Sequence, residues 1–250
     1  NIYMKSIAVI QARMNSNRLK GKSLKPLGEE NIIYYCYKAA FNSNMFDKII
    51  VATSNSKIDD DLVDYLESKD INYYRGSENN VLSRYTDLYK KFKPDNITRL
   101  TGDNPLIDSA VIKEVVSNHL KRNLDYSSNI IKRSWPRGND VECINGKILY
   151  QLLEQKLAEE DFEHVTLYIR KNLKFYNYLS VESKKLFEYE DIRLTIDYEE
   201  DYLLVKKLVD YFISKDQKIS VDQINNLYLS DPSFFKINKQ SKQTKIGGIE

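Results

Sequence analysis

Cysteine, histidine, glycine and proline are all scarce in this chain of 250 residues, which has 2 Cys, 2 His, 8 Gly and 5 Pro. The cysteines, Cys36 and Cys143, are far apart and lack the spacing of a metal or redox pair. Cys36 lies inside the apolar stretch IIYYCYKAA and reads as core filler. Cys143 follows Glu142 and reads the same way, with a place near a site as the alternative. Free thiols fit a reducing compartment. No secretory signal pattern is present, and no apolar run reaches the roughly 18 residues of a spanning helix. The expectation is a cytoplasmic protein, neither secreted nor membrane-spanning. An excess of one charge is missing too. Lys and Arg number 38, Asp and Glu 36, for a net charge of +2. Bulk electrostatics therefore gives no reason to expect a nucleic-acid or membrane partner. Internal repeats and a domain linker are absent, as is the glycine spacing of a dinucleotide fingerprint or a Walker loop.

What is present suits a layered α/β fold. Apolar residues make up 42%, enough for a substantial core. Ser6 to Gln11, Lys48 to Ala52, Asn72 to Arg75 and Asn96 to Leu100 read as strands. Helical spacing covers Asn31 to Phe41, Asp59 to Lys69 and Val81 to Phe92, and Asp108 is placed to cap a helix ending near Leu120. Asp59, Asp60 and Asp61 favour the positive end of their helix. His119, late in its helix, reads as solvated or as a favourable C-terminal group. This alternation implies mostly parallel strands with helices on both faces. The second half is less regular. Tyr126 to Ile131 and Asp140 to Ile144 are expected to pair, and Lys147 to Ala158 and Glu199 to Phe212 to be helical. Phe175 to Leu179 and Arg193 to Ile196 read as short strands.

Ligands of such sheets sit beyond the carboxyl ends of the strands. The first such loop carries Arg13, Ser16, Arg18, Lys20, Gly21 and Lys22 directly after the first strand. Backbone amides and cations there suit a phosphate; a solvated basic loop is the plain alternative. Another is RLTGDNPLID, with Asp103 in a turn shaped by Gly102 and Pro105. A carboxylate beside a triphosphate can hold Mg²⁺, or it can cap its own turn. In RLTIDYEED, Asp197 is either a second such ligand or the cap of the next helix; spacing by itself favours the cap.

The ordered set IQARMNSNRLKGKSL, KIIVATS, YYRGSENNVLSRY, RLTGDNPLID, EHVTLYI and RLTIDYEED resembles the SpsF-type cytidylyltransferase family, which is similar to CMP-KDO synthetase and more distantly to acylneuraminate cytidylyltransferases. The match is spread from residue 6 to about 212. The resemblance implies a Rossmann-related, GT-A-like nucleotidyltransferase fold with a mixed, mostly parallel sheet. One domain is expected over 1–237, with an acceptor and dimerisation region at about 126–190 within it, and the residues from 238 to 250 read as a polar tail. The resemblance implies Mg²⁺-dependent transfer of CMP from CTP to a sugar acid or related small-molecule acceptor with release of pyrophosphate, for surface glycan synthesis, usually by a homodimer. Arg13, Ser16, Arg18, Gly21 and Lys22, with Ala12, would contact the triphosphate, and Arg13, Lys22 and Asp103 would be catalytic. Asp103 and Asp197 would hold the metal. Ala52, Thr53 and Ser54 would lie near the nucleoside, with Arg75 facing nucleotide or acceptor. Arg84, Arg137, Glu142 and His164 would serve the acceptor. Lys20 stands where the family has proline. Thr101 stands where CMP-KDO synthetase has glutamine, so base contacts depart from that pattern. The competing readings are a nucleotidyltransferase with another base or a phospho-acceptor, a non-catalytic nucleotide-binding homologue, and a nucleotide-sugar glycosyltransferase. The third usually relies on a DxD pair, whereas the Asp59 to Asp61 run reads as a helix start.

Overall fold

In a computed structural model, which describes residues 4–188, 190 and 192–241, the apolar runs of the first half form the centre of one sheet. The first half contains β1 (Ser6–Gln11), β2 (Pro26–Leu27), β3 (Glu30–Asn31), α1 (Ile32–Asn42), β4 (Lys48–Ser54), α2 (Asp60–Ser68), β5 (Tyr73–Gly76), α3 (Val81–Phe92), β6 (Asn96–Thr101) and α4 (Ser109–Arg122). The second half adds β7 (Tyr126–Ser128), β8 (Glu142–Asn145), α5 (Gly146–Gln151), α6 (Glu159–Glu163), α7 (Leu167–Lys171), β9 (Tyr178–Ser180), α8 (Glu199–Ser214) and α9 (Val221–Ser230).

Seven strands pair in the order β5-β4-β1-β6-β8-β7-β9. β5, β4, β1 and β6 run parallel, and β8 runs antiparallel to both β6 and β7. Side chains alternate along β1, so Ala8 and Ile10 pack on one face with Cys36 and Val115, while Ile7 and Val9 pack on the other with Leu82 and Leu149. Helices therefore cover both faces, as the alternation requires. A further apolar cluster joins α8 and α9 to Ile192, Leu194 and Ile196. The chain crosses from one half of the sheet to the other between β1 and β6, the switch point at which such sheets bind ligands.

The structure departs from the sequence reading at several points. The helix expected over Lys147–Ala158 ends at Gln151 and tightens into a short turn, Leu152–Glu154, before Gln155 becomes extended. Residues 193–196 form no strand. Leu194 N–H donates to Arg137 and Ile196 N–H to Asp103, so the segment passes two different partners and joins no ladder. His119 is 1% exposed instead of solvated. Its Nε2 faces Asn96 Oδ1 at 2.9 Å and its Nδ1 faces Ser127 at 3.1 Å. The domain also continues past residue 237. Asn238 is buried and donates to Arg193 O at 3.0 Å and Asp201 Oδ1 at 2.8 Å. Residues 242–250 of the expected tail lie outside the described residues.

Candidate active site

The basic loop leaves β1 beside β4 and is pinned from below. Asp59 is 0% exposed. One of its oxygens accepts Met14 N–H at 2.7 Å, and the other accepts Ser54 N–H at 3.1 Å together with the Ser54 hydroxyl. The acid run thus supplies more than a helix start, since its first member fixes where the loop begins. Sequence reasoning missed this; the signal was a carboxylate one step ahead of the helix, between two loops rich in N–H groups. At the far end Gly21 adopts φ 67, and its N–H bonds Met14 O at 2.9 Å. A side chain strains that left-handed backbone. The turn delivers Lys22 into the cleft while Gly21 itself stays behind it.

Lys22 meets both predicted acids. Its ammonium lies 2.9 Å from Asp103 Oδ2, 3.3 Å from Asp197 Oδ1 and 2.6 Å from the Ile196 carbonyl. Arg18 and Arg193 reach Asp197 at 2.8 Å each. Burial works to raise the Asp197 carboxyl, but Lys22, Arg18 and Arg193 outweigh it and hold its pKa below the usual carboxylate value. Burial likewise pulls against the charged Lys22, and Asp103 and Asp197 more than offset it, so its pKa is raised. Asp197 does not cap the following helix; Asp201 does that, accepting Asp197 N–H and Tyr198 N–H at 3.0 Å each. Among the described residues no group of three or more His, Cys, Asp or Glu could hold a metal. Two facing carboxylates are nevertheless the donor set with which Mg²⁺ joins phosphate oxygens and water, so the residues fit that ion.

These groups open onto a cavity of about 690 Å³. Ala12, Arg13, Ser16, Arg18, Lys22, Thr101, Asp103 and Asp197 line it. Arg99, Arg133, Arg137, Asp140, Glu142, His164 and Arg170 line it as well. Glu142 is buried and fully engaged. It pairs with Arg99, accepts Tyr126 O–H at 2.5 Å and accepts Thr166 O–H at 2.7 Å. Its position opposite Arg99 follows from the antiparallel register of β6 and β8. Burial raises its carboxyl, but Arg99 and Arg170 reverse the shift and the pKa is lowered. Glu142 therefore holds Arg99 in the cavity floor, with Gln11 accepting from Arg99 Nε at 2.9 Å. The half-buried His164 has its pKa lowered by burial, which Glu163 only partly counters.

Besides Gly21, four predicted contacts fall outside the cavity lining. Ala52, Thr53 and Ser54 are buried at 1% exposure or less, because the end of β4 turns inward onto Asp59. Arg75 bonds Ser54 O at 3.0 Å, Ser56 O at 2.7 Å and Asp60 at 2.8 Å, so it holds the β4–α2 turn. Arg84 reaches the cavity wall but donates to the carbonyls of Ser77, Glu78 and Ala52.

Residues 7–239 match the sequence profile of the family described as Cytidylyltransferase. The chain is 35% identical over 205 residues to the spore coat polysaccharide biosynthesis protein SpsF of Bacillus subtilis, covering 80% of this chain and 84% of that protein. It is 30% identical over 148 residues to 3-deoxy-manno-octulosonate cytidylyltransferase of Fusobacterium nucleatum, covering 57% of each. A solved cytidylyltransferase from Leptospira borgpetersenii superposes with a TM-score of 0.87 at 29% identity, covering 97% of this chain and 100% of that one. With the profile spanning nearly the whole chain, and the basic loop and both acids meeting in one cleft, the chain belongs to the cytidylyltransferase family of nucleotidyltransferases, in its SpsF-type branch.

Proposed function

We propose that this enzyme transfers CMP from CTP to a sugar acid or related anionic acceptor, releases pyrophosphate, depends on Mg²⁺, and serves surface polysaccharide synthesis. The observation that carries this reading is the meeting of Lys22 with Asp103 and Asp197 at the end of the basic loop. Arginines from β6, α7 and the loop before β8 (Arg99, Arg170, Arg133, Arg137) also line the cavity, which supports an acceptor carrying negative charge. The acceptor for which the Fusobacterium relative is named is such an acid, and the name of the Bacillus relative supports the polysaccharide role. A homodimer working in the cytoplasm completes the proposal.

An acceptor oxygen attacks the α-phosphorus in line; the new O–P bond forms as the bond to the β-phosphate oxygen breaks. Such transfers depend on alignment and charge neutralisation more than on covalent help. Arg13, Arg18 and Lys22 face the charge that grows on the leaving pyrophosphate. Asp103 and Asp197 would hold Mg²⁺, which would neutralise phosphate charge and lower the pKa of an acceptor hydroxyl. His164, which also lines the cavity, would accept a hydrogen bond from that hydroxyl.

Pyrophosphate release should be assayed with CTP, UTP, ATP and GTP against a panel of sugar acids and phospho-acceptors, with and without EDTA. Preference for CTP with an acidic sugar, abolished by EDTA, is the expected result. Preference for UTP or for a phospho-acceptor would replace this reading, and no release with any pair would leave a nucleotide-binding homologue.

A further inference from the structure

Lys22 sits between the two acids proposed to hold the divalent cation. Its ammonium is surrounded by Ile196 O at 2.6 Å, Asp103 Oδ2 at 2.9 Å and Asp197 Oδ1 at 3.3 Å. An ammonium has three N–H donors and no acceptor, so these contacts use its whole donor set. While seated, Lys22 has no N–H left for a phosphate. The oxygens around it are the hard donors Mg²⁺ takes, at about 2.1 Å and with little tolerance for distortion. An ion at that distance from both carboxylates and an ammonium between the same oxygens exclude each other by size and by charge. Asp103 has Lys22 as its cation, whereas Asp197 keeps Arg18 and Arg193 when Lys22 leaves.

We infer that Lys22 and the divalent cation occupy one oxygen seat in turn. Without nucleotide the ammonium fills the seat and neutralises both acids. Arriving phosphates offer Lys22 stronger partners and draw it out, and the metal enters with them. The inference rests on the metal reading of Asp103 and Asp197 given above. Its consequence is a binding order: the nucleotide-free enzyme has little affinity for the metal, and nucleotide and metal bind with strong mutual coupling. The reciprocal effect follows, because the metal stabilises the state in which Lys22 is free for phosphate.

Mn²⁺ binding followed by its electron paramagnetic resonance signal tests this directly. The wild type and Lys22→Met are titrated alone, and the wild type and Asp103→Asn are titrated with α,β-methylene CTP, with the analogue's own Mn²⁺ binding subtracted. Lys22→Met alone should bind Mn²⁺ about 10-fold or more tighter than the wild type alone. The wild type should gain a protein-bound signal with the analogue, and Asp103→Asn should not. Equal Mn²⁺ affinity of wild type and Lys22→Met without nucleotide overturns the shared seat and leaves the metal reading intact. No protein-bound Mn²⁺ in the wild type even with the analogue overturns the metal reading and the shared seat together. If Lys22→Met fails to fold, the wild type still decides: tight Mn²⁺ binding without nucleotide contradicts the inference, and binding only with the analogue supports it.

Discussion

Ile196 donates its backbone N–H to the backbone carbonyl of Asp103 at 2.9 Å. The bond ties the two acidic loops together by main chain, one residue before Asp197. Side-chain changes at either acid therefore leave the frame of the cleft in place. Asp103→Asn keeps shape and removes charge, and Lys22→Ala removes the cation between the loops. Each should lower the rate of pyrophosphate release by about 10-fold or more while far-UV circular dichroism stays unchanged. Near-normal rates in either variant would contradict the proposed roles.

Asp59→Ala should weaken the fold and the nucleotide site together. Met14 N–H and Ser54 N–H would lose their buried acceptor, at a cost of about 1–3 kcal/mol for each group left unsatisfied. The urea midpoint should fall, and CTP affinity in calorimetry should fall with it, because the start of the phosphate loop loses its anchor. An unchanged midpoint would show that the two N–H groups find other acceptors.

The buried His119 predicts a pH window for stability. Burial lowers its pKa from 6.5 to about 4. Between those values the unfolded chain binds a proton that the folded chain does not, so stability decreases as pH falls from about 6.5 to about 4. The contribution is on the order of 3 kcal/mol across the window. Urea unfolding at pH 7 and at pH 4.5 should show the loss, and His119→Gln should show a smaller difference between the two pH values. An equal difference in both proteins would place the effect elsewhere.

Gly138 has φ 101, and a Cβ there would lie 2.7 Å from the Leu194 carbonyl carbon and 2.8 Å from Thr195 N. Both are backbone atoms of the segment that carries Asp197. Gly138→Ala should destabilise by about 1–3 kcal/mol and reduce turnover by moving that segment. A variant with wild-type thermal midpoint and rate would show that the backbone yields there at no cost.

Helix α3 was legible to the residue because its ends are chemical. Asn80 accepts Ser83 N–H at 2.8 Å, and Lys93 closes the helix at φ 46. The loop after β1 was legible for a similar reason: its cations follow a buried strand, and sheet geometry says where they go. The end of β4 was not. Thr53 and Ser54 look like site residues by position and polarity, yet both are buried, and the Ser54 N–H and hydroxyl are taken by the buried Asp59 carboxylate of the next turn. Glu142 reads as an acceptor contact until the register of β8 puts it opposite Arg99.

Local spacing in the chain was sufficient for the alternating elements, the two-faced sheet and the kinds of charge at each strand end, since helix and strand periods are properties of neighbouring residues. It left open whether Asp197 was a cap or a partner in the site. Folding answered that by bringing Lys22 to Asp103 across 81 residues and to Asp197 across 175. Contacts over such separations depend on the strand order and on the main-chain tie between the two acidic loops, which no periodicity encodes.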